Sequence, residues 1–234
     1  MTQAASPLPA ARRGLPRGVA PAALGGVSAL VRMHEPYFVQ RVAVGRELMG
    51  RPRLEVLGEM CAGRRVLHVG CVDWPITDPK TSLHLQLEPS CARLDGFDLH
   101  AEAFDALRPH VRGQLFSEWG AVTAEYDLLL VPEVLEHVAD VAGFLRQLDA
   151  VRAASVVLTV PDAYQCMRRH FDYLQESETF IEVVHPDHNC WYTPYTLTSV
   201  LRKYTDWRLD GLWFFNHISL LARLVKPGQC PPGV

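Results

Sequence analysis

The sequence predicts a doubly wound α/β fold, in which a mostly parallel sheet has helices on both faces. Short, unbroken apolar runs recur along the chain, segments with helical periodicity lie between them, and the first run ends in a glycine turn. Strands buried on both faces of a parallel sheet have this unbroken apolar character. Their alternation with helices indicates the doubly wound arrangement.

The strands of the predicted sheet are apolar runs rich in β-branched residues, a composition typical of buried strands. Four of them are RRVLHVG at 64–70, RLDGFDL at 93–99, YDLLLV at 126–131 and SVVLTV at 155–160. Two further runs close the chain, WRLDGLWFF at 207–215 and HISLLARLV at 217–225. We expect these last two to pair as antiparallel strands.

Helices are predicted between the strands from the spacing of apolar residues. Val138, Val141, Leu145 and Leu148 mark one face of a helix that precedes the last of the four central runs. Thr193 and Pro194 predict the start of another helix, with Thr as the N-cap and Pro in the first turn. The segment 27–60 predicts two or three short helices that break near Pro36 and Pro52.

The predicted organisation is one α/β domain with appendages. We expect a flexible tail at 1–26, a helical cap at 27–62 and the α/β domain at 63–226. An aromatic-rich insertion is expected within that domain at 163–192, and a frayed C-terminus at 227–234. A formal charge of −3 offers no basic footprint for nucleic acid. The six cysteines have no zinc spacing, and no apolar run reaches the roughly 18–20 residues that span a bilayer. We therefore expect a cytoplasmic protein without nucleic-acid or membrane partners. The sequence leaves the oligomeric state open, and a homodimer is one of the alternatives.

A ligand site is predicted at the carboxyl ends of the first two strands, because open α/β sheets bind ligands there. Gly70 ends the first strand and allows close approach of backbone to ligand. Asp98 ends the second strand, 28 positions later, where an acid can accept hydrogen bonds from both hydroxyls of a ribose.

Five segments carry a family resemblance. In order they read VLHVGC, LDGFDLHAEAFDALR, EYDLLLVPEVLEHVADVAGFLRQL, VVLTVPDAY and EVVHPDHNCWYTPYTLTSVLRKY. They resemble the successive motifs of class I S-adenosylmethionine-dependent methyltransferases, over about 63–225. The last segment is similar to a DHxxWYxPxTL stretch of one bacterial branch, whose first loop is commonly GCxD, as at Gly70, Cys71 and Asp73. The resemblance implies a seven-stranded sheet, an N-terminal helical cap and S-adenosylmethionine as cofactor.

The resemblance also implies the residues that contact the cofactor. They are Gly70, Cys71, Asp73, Asp98, Leu99, Glu118, Trp119, Glu133 and His137. The chain departs from the family at Val72 and Trp74, which stand where glycines are usual. We expect the loop to take a wider path around the methionine moiety, with Trp74 in contact with the cofactor or filling the floor of the site. Glu136 is expected in the first turn of the following helix, where an acid favours the helix N-terminus.

The acceptor pocket is expected in the insertion and the helical cap. The candidates for acceptor binding are Tyr37, Tyr164, His170, Trp191 and Tyr192. The candidates for a general base are His188 first, then His185 and His34, because an imidazole near its ordinary pKa of about 6.5 suits proton removal at neutral pH. A structural hydrogen-bonding role for each histidine stays open.

The predicted function is methylation of a small-molecule acceptor, at oxygen or nitrogen in preference to carbon, with specialised metabolism as one setting. No metal is required for an in-line displacement of this kind. Two alternatives stay open. One is the same cofactor used for another displacement or a cyclisation, and the other is a non-catalytic binding protein on a decayed methyltransferase fold.

Overall fold

The structure is a computed structural model that describes residues 34–35, 37–75 and 78–228. The chain divides into one unit over 1–40 and another over 41–234. In the described part of the first unit, His34 and Tyr37 are exposed, and the amide of Phe38 donates to the carbonyl of His34 over 3.0 Å. The predicted tail at 1–26 lies outside the described residues, as do the start of the predicted cap and residues 229–234 of the predicted tail at 227–234.

The second unit is built on a seven-stranded sheet, as predicted. Its strands are β1 (Arg65–Val69), β2 (Arg93–Phe97), β3 (Leu115–Phe116), β4 (Tyr126–Pro132), β5 (Ala153–Pro161), β8 (Arg208–Phe215) and β9 (Ser219–Val225). They lie in the order β3-β2-β1-β4-β5-β9-β8. The first five are parallel, and β9 runs antiparallel to both β5 and β8. Strands β2 and β3 lie on one side of β1, and β4 and β5 lie on its other side. This change of side between β1 and β4 creates the topological switch point at which such sheets bind ligands.

Helices cover both faces of this sheet. They are α1 (Arg53–Cys61), α2 (Leu83–Leu87), α3 (Phe104–Leu107), α4 (Val141–Ala150), α5 (Ala163–His170) and α6 (Pro194–Tyr204). Leu67 and Leu129 of the sheet share one buried cluster with Leu145 of α4 and Leu197 of α6. On the opposite face, Val66, Leu128 and Leu130 pack with Leu57 of α1 and Leu87 of α2.

Two helix starts show how local sequence fixes the helices. The Thr193 hydroxyl accepts the amide of Thr196, and the Thr196 hydroxyl accepts the amide of Thr193, which together form a capping box. The predicted cap of α6 is therefore confirmed. Helix α4 begins at Val141, one turn later than the apolar spacing from Val138 suggests, because the Asp140 side chain caps it by accepting the amide of Gly143.

The segment before α1 differs from the prediction. Between 37 and 52 the described chain contains no helix, and α1 begins directly after Pro52. Instead Gly45 pairs with the edge of β8, donating to the carbonyl of Leu212 over 2.9 Å and accepting the amide of Phe214 over 3.0 Å. Its backbone groups are thus satisfied by the sheet rather than by a helical turn.

The insertion is more regular than the sequence suggests. After α5 it forms a hairpin of β6 (Phe171–Leu174) and β7 (Thr179–Glu182), a separate two-stranded sheet. Tyr173 and Phe180 of this hairpin are largely exposed. Among the described residues, each helix is too short or too polar to cross a membrane.

Candidate functional site

A cleft of about 1290 Å³ opens at the carboxyl ends of β1, β2 and β4. Its walls are the loops that follow these strands, the start of α4, and the part of the insertion at 185–188. Sites for one small molecule occupy roughly 300–1,000 Å³. The cleft therefore has room for two reactants side by side.

The floor of the cleft is formed by the turn at Gly70. Gly70 has φ +75°, and a Cβ at this position would collide with the side chain of Val134. Its amide donates to the carbonyl of Phe97 over 2.8 Å, which ties the ends of β1 and β2 together. A left-handed, Cβ-free turn is what this close approach of three loops requires.

Asp98 lies at the end of β2 and is 7% exposed. Its Oδ2 accepts the amide of Val72 over 3.1 Å, and its Oδ1 accepts the amide of His100 over 3.0 Å. Burial raises the pKa of this carboxyl, while the amides of His100 and Val72 oppose the shift. Each carboxylate oxygen keeps lone-pair capacity for a further donor in the cleft.

The loop residue Val72 lines the cleft and is itself mostly buried. Val72 is 8% exposed and packs in a small cluster with Phe104 and Leu107. Trp74, by contrast, is 46% exposed at the cleft rim, where its ring stacks on His100 with centroids 5.1 Å apart. Deeper in the cleft, Trp119 stacks on Phe97 at 3.7 Å. Two aromatic faces thus flank the end of β2.

Two glutamates follow β4, and of these Glu133 lines the cleft whereas Glu136 does not. Glu133 has φ +55°, a strained conformation for a residue with a side chain, and its amide donates to the carbonyl of Thr159 over 2.9 Å. Glu136 is fully buried in a 3-10 turn over Leu135–His137, so it does not lie in the first turn of α4 as expected. Within the described chain neither carboxyl oxygen of Glu136 has a hydrogen-bond partner. Burial, and secondarily Glu133, raises the pKa of Glu136 to about 9, which keeps it protonated at neutral pH.

Arg53, the first residue of α1, contributes a cation to the same cleft. Its Nε is buried without a hydrogen-bond partner in the described part of the chain. Burial raises the pKa values of Asp73 and Glu133, and the positive charge of Arg53 lowers them in opposition. Sequence reasoning missed Arg53, because an arginine after a proline at a helix start carries no functional signal among many other arginines.

The cleft as a whole is acidic. Its lining holds five carboxyl side chains against two arginines, Arg53 and Arg146; the acids are Asp73, Asp98, Glu133, Asp140 and Asp187. A cleft lined by one sign of charge concentrates ligands of the opposite sign. The electrostatics favour a ligand that carries positive charge.

Three histidines converge in the lining of the cleft. His137 follows the buried turn at Glu136, and His185 and His188 come from the insertion. One ring nitrogen from each lies within 4.8 Å of the others. Asn189 holds the two segments together, because its amide donates to the carbonyl of Glu136 over 2.7 Å and its side-chain amide to that of His137 over 2.8 Å.

The pKa of His188 differs from the expected one. Burial, followed by the neighbouring His137 and His185, lowers it to about 4 rather than leaving it near 6.5. His188 is therefore neutral at pH 7 and is a weaker base than an exposed imidazole. Its Nδ1 is buried and has no hydrogen-bond partner within the residues described.

The fold brings together most of the residues predicted for the cofactor. The lining includes Gly70, Cys71, Asp73, Asp98, Leu99, Trp119, Glu133 and His137, and from the predicted bases His185 and His188. Glu118 is exposed and is not part of this lining. His34 and Tyr37 belong to the first unit, so their predicted roles stay predictions.

The predicted acceptor-binding aromatics of the insertion lie elsewhere than in the cleft lining. Tyr192 is 4% exposed and packs in the main core. Trp191 contacts the rings of His170 and Phe171 and donates to Glu182, whereas Tyr164 is exposed beside Phe214. These aromatics hold the hairpin and the core, and an acceptor role for them stays a prediction.

Solved structures share this architecture. An S-adenosylmethionine-dependent methyltransferase from Aquifex aeolicus aligns with a TM-score of 0.52 at 12% identity, over 73% of this chain and 87% of that one. The PH0226 protein from Pyrococcus horikoshii aligns with a TM-score of 0.52 at 11% identity, over 74% and 86%. This chain shares the fold of these two proteins. At these identities the likeness concerns the fold alone.

Sequence relatives match a part of the chain. The ubiquinone biosynthesis O-methyltransferase of Rhodopseudomonas palustris is 28% identical over 109 residues, which is 42% of this chain and 39% of that protein. The enzyme of the same name from Methylocella silvestris is 32% identical over 116 residues, 45% of each chain. The match thus spans less than half the length of these curated relatives. No protein-family model matches the chain.

Proposed function

We propose that the protein is an S-adenosylmethionine-dependent methyltransferase that acts on a small-molecule acceptor. The observation that carries the proposal is Asp98, a buried carboxylate at the end of β2 whose two oxygens are each fixed by one backbone amide. Such a carboxylate is positioned to accept the hydroxyls of a ribose. The fold, shared with enzymes of this cofactor, supports the same assignment.

The other residues of the cleft fit the remaining parts of this cofactor. The turn at Gly70 has no Cβ to obstruct a bound chain, Trp119 offers a flat ring for an adenine, and Arg53 offers a cation for a carboxylate. The predominance of carboxyl groups suits a sulfonium, which is positively charged. When bound, S-adenosylmethionine supplies an electrophilic methyl group.

The acceptor end of the cleft is assigned to the three histidines. They line the same cleft as Asp98, and the cleft volume leaves room for a second molecule. The neutral imidazole of His188 is the candidate to take a proton from a hydroxyl or an amine. We favour oxygen as the methylated atom because the sequence relatives are named O-methyltransferases.

Calorimetric titration with S-adenosylhomocysteine tests the proposal at Asp98. Loss of hydrogen bonds to a charged acceptor costs about 1.5–3 kcal/mol each. We expect Asp98→Asn to weaken binding at least about tenfold. The matched control is Asp105→Asn, an exposed acid on α3, which should bind as the wild type does. A wild-type protein that binds neither S-adenosylmethionine nor its demethylated product contradicts the proposal.

Product analysis by mass separates methyl transfer from the alternatives. The protein is incubated with S-adenosylmethionine and a panel of phenols, catechols and amines. Methyl transfer adds one methyl group to an acceptor and releases S-adenosylhomocysteine in equal amount. Release of methylthioadenosine instead of S-adenosylhomocysteine would indicate another displacement at the sulfonium.

A further inference from the structure

The three histidines at the acceptor end have the composition of a transition-metal site. Neutral imidazole suits zinc, copper, iron and nickel, whereas magnesium and calcium take oxygen ligands. Zinc sites that perform chemistry typically have three protein ligands and one open position, and three histidines are one such set. The sequence predicts no metal here, because His137 lies 48 positions before His185 and the spacing matches no metal motif.

The distances require only side-chain movement. The three candidate nitrogens lie within 4.8 Å of one another. Nitrogens on a tetrahedral zinc, with Zn–N bonds of 2.0–2.1 Å, are about 3.3 Å apart. His185 is exposed, so its ring can rotate into place without disturbing packed neighbours.

The surroundings of His137 are those of a metal-ligating histidine. His137 Nδ1 contacts Asp187 Oδ2 at 3.2 Å, and His185 Nδ1 accepts the amide of Asp187 at 3.3 Å. The contact with Asp187 leaves Nε2 of His137 available as a ligand. His185 carries its proton on Nε2 while its Nδ1 accepts this amide, so its exposed ring must give up that bond in order to bind a metal. A carboxylate on the far nitrogen of a ligating histidine fixes the ring and raises its basicity, and such partners recur around protein metals.

The backbone holds the cluster together before any ion binds. Asn189 bridges the carbonyls of Glu136 and His137, and the amide of His188 donates to the carbonyl of His185 over 3.0 Å. Two segments distant in sequence are therefore fixed to each other. The conformational entropy of bringing these segments together is therefore lost when the protein folds, and it does not weaken metal binding.

The geometry points to one first-row divalent metal ion, zinc or a close relative, held by His137, His185 and His188 with an open coordination position toward the cleft. All three side chains line the cleft, so the position not taken by protein faces the space assigned to the acceptor. An ion there would bind an acceptor oxygen and lower the pKa of its hydroxyl. The acceptor class is then a hydroxylated molecule, a phenol or a catechol. This last step rests on the proposed function, whereas metal binding itself does not.

Metal binding is tested on the untagged full chain after treatment with EDTA and desalting. Co²⁺ is added stepwise while visible absorption is followed, and Zn²⁺ affinity is measured by competition with a chromophoric chelator. We expect one equivalent of tetrahedral Co²⁺, displaced by Zn²⁺. His185→Ala, at an exposed position, should weaken binding at least about tenfold. Asp187→Ala should weaken it less, and His110→Ala, an exposed histidine outside the cleft, should not change it.

Titration with S-adenosylhomocysteine on the same samples separates the two proposals. Metal binding that is lost in His185→Ala while cofactor affinity is unchanged supports the inference. Wild-type protein that binds cofactor but shows no stoichiometric Co²⁺ overturns the inference, leaves the proposed function intact and returns the imidazoles to proton acceptance. Equal metal affinity in His185→Ala, His188→Ala and the wild type overturns it as well. Metal bound by a chain that binds no cofactor keeps the site and overturns the proposed function instead.

Discussion

Arg53 places a guanidinium in the wall of a cleft that is otherwise mostly acidic. Its position at the first residue of α1 fixes it beside the loop that carries Asp73. Carboxyl groups surround this cation, but its Nε has no hydrogen-bond partner in the described part of the chain. The guanidinium is therefore positioned to bind an anion. In the proposed cofactor that anion is the carboxylate of the methionine moiety.

We predict that Arg53→Gln weakens binding of S-adenosylhomocysteine about tenfold or more, because a charge-assisted hydrogen bond is worth about 1.5–3 kcal/mol. The affinity for methylthioadenosine, which has no amino-acid moiety, should not change. Asp98→Asn should weaken both ligands, because both contain the ribose. Arg108→Gln, at the exposed residue that directly follows α3, is the control. Equal losses for both ligands in Arg53→Gln would show that the residue acts through the fold.

Trp74 is the residue by which this loop departs most from a glycine-rich one. Its ring lies parallel to that of His100, with 11° between the planes, and both line the cleft beside Asp98. Aromatic stacking contributes about 0.5–1.5 kcal/mol beyond area burial. We predict that Trp74→Ala weakens S-adenosylhomocysteine by about two- to tenfold in calorimetric titration. Trp191→Ala, outside the cleft lining, should leave the affinity unchanged, and an unaltered affinity in Trp74→Ala would place its ring outside the cofactor site.

At the scale of elements, the strands and helices with clear sequence patterns were predictable, and the elements formed by tertiary pairing were not. The unbroken apolar runs identify β1, β4 and β5, because a strand buried on both faces has no polar side to interrupt it. Strand β3 has only two residues, too few for any periodicity. The backbone pairing of Gly45 with β8 depends on an edge that no local pattern reveals.

The candidate site divides in the same way. Gly70 and Asp98 follow predicted strands, so topology alone brings them to one edge. His137 meets His185 and His188 through hydrogen bonds made by Asn189, which the sequence does not indicate. Arg53 reaches the cleft because α1 packs against the sheet, and Tyr192 leaves it because its ring fills the core.

Helix α6 depends on its capping box. Its apolar residues Leu197 and Leu201 are buried in the main core, so a frayed first turn would loosen that packing. Replacing an N-cap threonine by alanine costs about 1 kcal/mol. We predict that Thr193→Ala lowers the free energy of unfolding by about that amount in urea titration, whereas Thr179→Ala in the exposed hairpin changes it by less than about 0.5 kcal/mol. Equal effects of the two substitutions would show that the cap does not limit stability.

At the scale of the whole molecule, stability is coupled to pH through two buried histidines that join a central strand to a helix. His68 of β1 and His84 of α2 lie with their Nδ1 atoms 3.2 Å apart and their rings stacked. They are 2% and 0% exposed, respectively. One ring must donate and the other must accept, so the contact requires that at least one imidazole is neutral. Burial lowers the pKa of both, that of His84 to about 4. The charges of His84 and Arg53 lower the pKa of His68 further, whereas Glu88 and Asp95 oppose the lowering at His84.

The sign of the pH dependence follows from these lowered pKa values. Below about pH 6.5 the unfolded chain protonates both histidines while the folded chain does not, so stability falls as the pH falls, until His84 also protonates near pH 4. The contribution of His84 over this window is roughly 3 kcal/mol. We predict that urea unfolding of metal-free protein at pH 7, 6, 5 and 4.5 shows this loss, and that His84→Gln removes a large part of it. His110→Gln, at an exposed position after α3, should keep the wild-type slope, because this side chain has no buried contact to lose. If His84→Gln and the wild type lose stability in parallel between pH 6.5 and 4.5, the buried pair does not control the acid limb, and carboxyl groups must account for it.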